Sequence, residues 1–334
     1  MAARAASTAA FFAAATARIA VAVAKGRGPH VAVVVNGGPF VGAMAPLQAA
    51  VRSVRFVHWV LDVHPDALLA LRPADRLLRA AAPVMRFALD ATWNRADVVG
   101  VISPRMLERL AGRVPRHRLR LLPLWAPAGV APVATGAPQL RRARGLGPAQ
   151  FVTAYHGNFG LAYDFAPLLD AAALLAAEPE YALVMVGDGP RRAAVQAEAA
   201  QRGLNATRFL DPVPPGELGD SHAMADVLLV TAREGWDGVA FPSKLITALA
   251  AGRPVIVVAP PGAEIGELVE QAGAGRAVPP DGAALAAAIR ALRADPDAVQ
   301  RQGRAAARLA TERFDRALAF AAWDRVLAGL PASR

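Results

Sequence analysis

Two signatures alternate along the chain: short runs of β-branched and aliphatic residues, and longer stretches whose apolar residues recur at helical spacing. In the first half the runs are 30–36 (HVAVVVN), 54–61 (VRFVHWVL), 97–102 (DVVGVI) and 119–124. In the second half they are 151–155, 182–186, 208–210, 227–230 and the strand ending at Val258. Helical spacing fills the intervals: 40–52, 75–93 with an expected interruption at Pro83, a capped start at Ser103-Pro104, 165–177, a helix ending at Arg202, 215–224, 262–272 and a helical tail over 283–330. Continuous apolar runs suit strands buried on both faces, and their alternation with helices predicts an α/β protein built on doubly wound parallel sheet.

The most informative stretch is 225–258, ADVLLVTAREGWDGVAFPSKLITALAAGRPVIVV. It reads as strand, polar loop, helix, glycine turn and strand. The loop 231–237 leaves the carboxyl end of a strand, where open α/β sheets bind ligands. Pro242 and Ser243 read as the helix entry, with the serine hydroxyl expected to cap free amides, and Gly252 with Pro254 ends the helix. Lys244 at that entry makes a candidate anion site. The chain holds 35 arginines and two lysines, Lys25 and Lys244. A lysine kept against that bias suggests a compact point charge on phosphate, the alternative being a solvated lysine at a helix start.

At 334 residues there is room for two domains. We place the first at 1–130, a linker at 131–150 where Pro, Gly, Ala and Arg dominate, the second at 151–312, and a closing helix at 313–334 that crosses back to the first. Composition narrows the function. No cysteine is present, which excludes disulfides, thiol catalysis and zinc thiolates, and the six histidines show no metal-ligand spacing. The net charge is +10, and Asp62 is the first carboxylate in the chain. A basic start suits an anionic membrane or a polyanion, and also arises from arginine-rich coding bias. No aromatic RNA-binding run accompanies the charge, so no nucleic-acid partner is expected. The opening residues 1–25 have an early arginine and an apolar middle, as a secretory signal would. Arg18 interrupts them, and the favoured reading is an alanine-rich helix packed on the domain or lying on a membrane.

Three further clusters sit at strand ends: Asp62-Val63-His64-Pro65-Asp66, His156-Gly157-Asn158-Phe159-Gly160 and Gly187-Asp188-Gly189-Pro190. Together with DGVAFPSKLITALAAGRPV, LVMVGDGP, ADVLLV and HWVLDVHPD, they resemble the GT-B glycosyltransferases of family 4, from about Val31 onward. The PSK motif resembles the branch that includes L-fucosamine-type transferases of O-antigen and capsule synthesis. This resemblance implies two Rossmann-like domains facing a cleft, the N-terminal one apparently truncated because the usual opening strand, Gly-rich loop and helix have no counterpart. It implies a cytoplasmic protein, peripheral on the inner face of the plasma membrane. The implied activity is transfer of a sugar from a nucleoside diphosphate donor to a lipid-linked or polysaccharide acceptor, with retention of configuration, no cofactor and no metal. The rival readings are a catalytically silent scaffold beside a partner transferase, and a nucleotide-sugar epimerase.

Under that resemblance the donor diphosphate falls to Lys244, with Pro242, Ser243 and the helix start behind it, and to backbone amides at Asn158 and Gly160, with Gly157 beside them among the donor-binding residues. Gly187, Asp188 and Gly189 would allow close backbone approach or simply form a tight turn. Asp237, or Glu234 beside it, would accept hydrogen bonds from donor sugar hydroxyls. Asp62 and His64 would stand on the acceptor side, as the candidates for any general base; their structural readings are a turn cap and a satisfied polar neighbour, and Asp66 reads as a helix cap. Family members usually carry two glutamates around this loop, whose places are taken here by Val239 and Thr247. Thr247 can make one hydrogen bond to a ribose hydroxyl but cannot act as a carboxylate. The arginine and lysine that many members carry after the Asn158 turn are also absent from GNFGLAYDF.

Overall fold

A computed structural model describes residues 2–26, 30–36, 44, 48, 51, 53–132 and 138–331. The expected turn at 37–39 and nearly all of the expected helix 40–52 lie outside the described residues. The chain forms two compact units. The first takes the described residues of Met1–Pro123, Gly235–Phe241 and Ala317–Arg334, and the second those of Leu124–Glu234 and Pro242–Arg316.

In the first unit, helix α1 (Ala2–Ala24) precedes strands β1 (Val31–Asn36) and β2 (Arg55–Val60), helices α2 (Asp66–Leu71) and α3 (Arg76–Trp93), strand β3 (Val98–Val101), helix α4 (Pro104–Leu110) and strand β4 (Leu119–Leu121). The four strands run parallel in the order β1-β2-β3-β4. The Asp75 carboxylate caps α3 and the Ser103 hydroxyl caps α4, each accepting from the amide three residues on. Pro83 does not interrupt α3 as expected; it lies on the exposed side of one continuous helix. The carbonyl that Pro83 leaves without a helical partner belongs to Arg79, itself exposed, where water can serve it.

The second unit holds α5 (Pro138–Ala143), β5 (Phe151–His156), α6 (Ala166–Leu174), β6 (Tyr181–Val186), α7 (Arg192–Gln201), β7 (Thr207–Leu210), α8 (Leu218–Ala223), β8 (Val227–Thr231), α9 (Ser243–Ala250), β9 (Val255–Val258), α10 (Glu264–Gln271), β10 (Gly275–Val278), α11 (Gly282–Ala294) and α12 (Pro296–Phe314). Its six parallel strands lie in the order β10-β9-β8-β5-β6-β7. β5, β6 and β8 are buried along nearly their whole length, as continuous apolar runs require when helices cover both faces. One core gathers Tyr155, Phe159, Phe165 and Tyr181 with aliphatic residues of α6, α7 and α11.

Three expectations need correction. Within the expected linker 131–150, of which 133–137 lie outside the described residues, α5 belongs to the second unit rather than to a free connection. Arg141 is buried there, its guanidinium 2.8 Å from the Asp226 carboxylate and donating to the Met224 carbonyl at 2.7 Å. Composition suggested exposure, but a buried arginine is stable when carboxylate and carbonyls take up its donors. Strand β10 was not expected: Gly275-Arg276-Ala277-Val278 has little β propensity. It pairs because Gly275, at φ +158°, lets the backbone lie directly against the Val255 carbonyl. The closing helix, α13 (Arg316–Ala328), starts later than 313, and Val326 packs with Val57, Val98 and Leu122 of the first unit. Trp323 meets Trp59 edge to face at 5.4 Å.

Candidate functional site

Strand order in the second sheet reverses between β5 and β8, and crevices at such points, outside the carboxyl ends, are where doubly wound sheets take ligands. The turns following β5, β6 and β8, with the start of α9, carry the expected donor residues Gly157, Asn158, Gly160, Gly187, Asp188, Gly189, Glu234, Pro242, Ser243, Lys244 and Thr247.

The turns after β5 and β6 are joined through backbone bonds. The Gly157 amide donates to the Val186 carbonyl at 2.9 Å, the Phe159 amide to the Asp188 carbonyl at 2.8 Å, and the Arg191 amide to the Phe159 carbonyl at 3.0 Å. Gly187 and Gly189 serve this junction, the tighter of the two roles open to them. Both have strongly positive φ, and a Cβ on Gly187 would strike the Gly157 carbonyl, one on Gly189 the Asn158 side chain and the Phe159 backbone. Asn158 and Asp188 are left exposed at the surface of the paired turns.

Lys244 comes to this place from α9. Its side chain lies against Gly157, where an added Cβ would stand 3.2 Å from the lysine Cε. Its ammonium sits 3.2 Å from the centre of the Tyr163 ring and 4.3 Å from that of Tyr155, and donates to the Tyr155 hydroxyl. That hydroxyl in turn donates to the Asn158 carbonyl at 2.8 Å. Among the described residues no carboxylate pairs with Lys244. Burial therefore holds its pKa well below the usual lysine value, and burial pushes the Tyr155 phenol up. Aromatic faces compensate a buried ammonium only partly.

Helix α9 begins without a side-chain cap. Ser243 is its first helical residue and the extended residue before it is Pro242, so the serine does not cap the amides as expected. The proline supplies the φ for a helix start but no acceptor. The exposed Ser243, the half-buried Thr247 one turn on and the exposed Glu234 complete the group. Sequence reading missed Tyr155 and Tyr163, which seat the lysine, although both flank the GNFG turn and the chain has only three tyrosines. It also missed two arginines. Arg191 donates to the Tyr163 carbonyl at 2.7 Å, and Arg233, exposed just beyond β8, donates to the Leu161 carbonyl at 3.1 Å.

The remaining candidates, Asp62, His64 and Asp237, belong to the first unit. Asp62 forms an isolated antiparallel bridge with Ala240, and the Val63 amide donates to the Val239 carbonyl at 2.8 Å. Segment Gly235–Phe241 is thereby stitched to the end of β2, and Val239 is buried. Burial raises the Asp62 pKa and lowers that of His64 to about 4, the Asp66 charge opposing the latter. His64 Nδ1 is buried with no hydrogen-bond partner among the described residues. The Asp237 carboxylate accepts from Arg105 at 3.1 Å and its carbonyl from Arg109 at 3.3 Å. Asp66 is not a helix cap: it is the first residue of α2, clamped by Arg86 at 2.5 Å and Arg109 at 3.2 Å. Among the described residues no three His, Asp or Glu side chains gather closely enough to hold a metal ion.

The sequence profile of the family described as glycosyl transferases group 1 matches residues 137–309. The chain is 31% identical over 250 residues to the probable glycosyltransferase WbjE of Pseudomonas aeruginosa, covering 73% of this chain and 61% of the relative. It is 28% identical over 230 residues to WcaI of Escherichia coli K12, a glycosyl transferase assigned to colanic acid biosynthesis, covering 67% of this chain and 56% of that protein. The chain thus spans about three fifths of the length of these curated relatives. The structure of Anabaena HepE with UDP-glucose superposes with a TM-score of 0.72 at 18% identity, covering 89% of this chain and 79% of HepE. The parallel sheets are those of the GT-B fold, and the matched range 137–309 contains every expected donor residue and Asp237, while Asp62 and His64 lie outside it. By that match this chain belongs to the group 1 glycosyl transferases.

Proposed function

We propose that the second unit binds a nucleoside diphosphate sugar and that the protein transfers the sugar, with retention, to a lipid-linked or polysaccharide acceptor at the cytoplasmic face of the membrane. The observation that carries this reading is the Lys244 ammonium, half-buried at the switch point with aromatic faces and a phenol around it and, among the described residues, no carboxylate paired with it. HepE, solved with UDP-glucose, and WcaI, assigned to colanic acid synthesis, support the donor and acceptor classes.

Transfer breaks the bond between the sugar's anomeric carbon and the phosphate oxygen and forms one to the acceptor oxygen. Negative charge grows on the departing diphosphate. Lys244, the amides at the start of α9 and the Asn158 and Gly160 amides are the groups that would stabilise it, without a metal; the Gly157 and Phe159 amides are taken up by the Val186 and Asp188 carbonyls. In a front-face reaction the acceptor proton passes to the leaving phosphate oxygen, so no side chain acts as nucleophile. Asp237 or Glu234 would hold donor hydroxyls, Thr247 the ribose. If a base assists, Asp62 or His64 is the candidate by position; burial keeps His64 unprotonated but weakens it as a base, and raises the basicity of the Asp62 carboxylate.

Calorimetric titration with UDP, GDP and their sugars, in buffer containing a chelator, tests this. One nucleotide should bind, and Lys244→Ala should weaken it by roughly 1 to 3 kcal/mol. Binding of none would leave the scaffold reading, which the Val239 and Thr247 replacements of the usual glutamates favour. Binding that survives the substitution would remove Lys244 from the site, and binding lost to the chelator would refute metal independence.

A further inference from the structure

We propose that helix α3 docks the first unit on an anionic lipid surface. Its outward face carries Leu77, Val84 and Phe87, which are 84, 72 and 76% exposed, with Ala80 and Ala81 between them. The spacing of these positions puts them on one side of the helix, opposite the buried Ala82, Leu89 and Trp93. Large apolar residues are seldom exposed in a row, and a stripe of them marks a surface that something covers.

Charge decides what covers it. The exposed Arg76 and Arg79 border the stripe, and Arg72, just before the helix, pairs with the Asp75 carboxylate at 3.8 Å. The acidic groups of this element are engaged within the protein: the Asp75 carboxylate accepts from the Leu78 amide and Asp90 from Arg113 at 2.8 Å. An apolar stripe flanked by arginines complements lipid phosphates with acyl chains beneath them. No helix among the described residues is long and apolar enough to cross a membrane, so α3 would lie in the interface plane. The Arg86–Asp66 pair ties α3 to α2, which begins two residues after His64. Docking would therefore hold the Asp62 and His64 strand end at the bilayer. This surface specifies the membrane location proposed above, and it does not depend on donor binding.

The test is cosedimentation of the full chain with vesicles of phosphatidylcholine alone and of equal parts phosphatidylcholine and phosphatidylglycerol. The protein should prefer the anionic vesicles by about tenfold at low salt. Leu77→Gln/Val84→Gln/Phe87→Gln should lose about tenfold in partitioning, and Arg76→Gln/Arg79→Gln a similar factor that disappears in high salt. Phe11→Gln/Val21→Gln, on the exposed side of α1, should retain binding. UDP titration of the α3 variants should match the parent protein; absence of nucleotide binding in all of them would refute the donor reading and leave the vesicle result standing. Failure to bind either vesicle would overturn the proposal. So would unchanged binding by the triple variant, or a dimer in solution that the triple variant converts to monomer.

Discussion

At the carboxyl end of the second unit's sheet, the polar groups are set by glycine turns and aromatic faces; at that of the first unit, they are set by arginine–carboxylate pairs. Lys244 lies among Gly157, Tyr155 and Tyr163. Asp66 and Asp237 lie under Arg86, Arg105 and Arg109. The carboxylates there are compensated by arginines inside the protein, whereas the half-buried lysine of the second unit is compensated, among the described residues, by little beyond quadrupoles and a phenol. A ligand gains most where the protein has left a desolvated charge incompletely answered. The contrast separates a lysine seat framed by glycine turns and aromatic rings from a surface whose ion pairs chiefly hold loops in place.

The largest effect should come from the joined glycine turns. Gly187→Val puts a branched side chain at φ +135° against the Gly157 carbonyl, and should cost about 4 kcal/mol in denaturant unfolding and abolish nucleotide binding. A loss below about 1 kcal/mol would show that the turns can separate, and the contrast would weaken.

Acid should act next, on both units, since burial lowers the pKa of His156 and His222 in the second as well as of His58 and His64 in the first. His58 and His64 both have pKa values lowered by burial to about 4 from 6.5. The unfolded chain binds these protons first, so stability is complete above pH 6.5 and falls as pH drops toward 4, by roughly 3 kcal/mol for each group. Denaturation midpoints over that range should fall less steeply in His64→Gln, the other buried histidines keeping the rest of the slope; an unchanged slope would mean that His64 is solvated.

Lys244 acts on stability in the same sense as the histidines and on binding in the opposite one. Its pKa is depressed in the fold, so folding stability rises with pH from that value up to 10.5. A bound diphosphate would raise it, so binding should take up a proton, and affinity should fall as pH rises between the free and bound values. Calorimetry in two buffers of different ionisation enthalpy would reveal the proton; equal heats would contradict it. The smallest effect is Ser243→Ala, which should change stability by less than about 0.5 kcal/mol because the serine caps no amide.

Strands β5, β6, β8 and β9, the turns beside them and the entry of α9 were legible from sequence, because a strand buried on both faces must be apolar throughout and a helix entry favours proline. Lys244 was legible by its rarity in an arginine-rich chain. What encloses Lys244 was not: Tyr155 and Tyr163 are distant from it along the chain, and only the pairing of β5 with β8 brings their turns together. The same holds for Arg141, which composition assigned to a linker and Asp226 draws into the second unit. Local sequence determined which segments become strands, helices and turns, since propensity and period act over a few residues. Tertiary structure decided which charges are answered and which glycines are indispensable, because desolvation and close contact depend on neighbours far away in the chain.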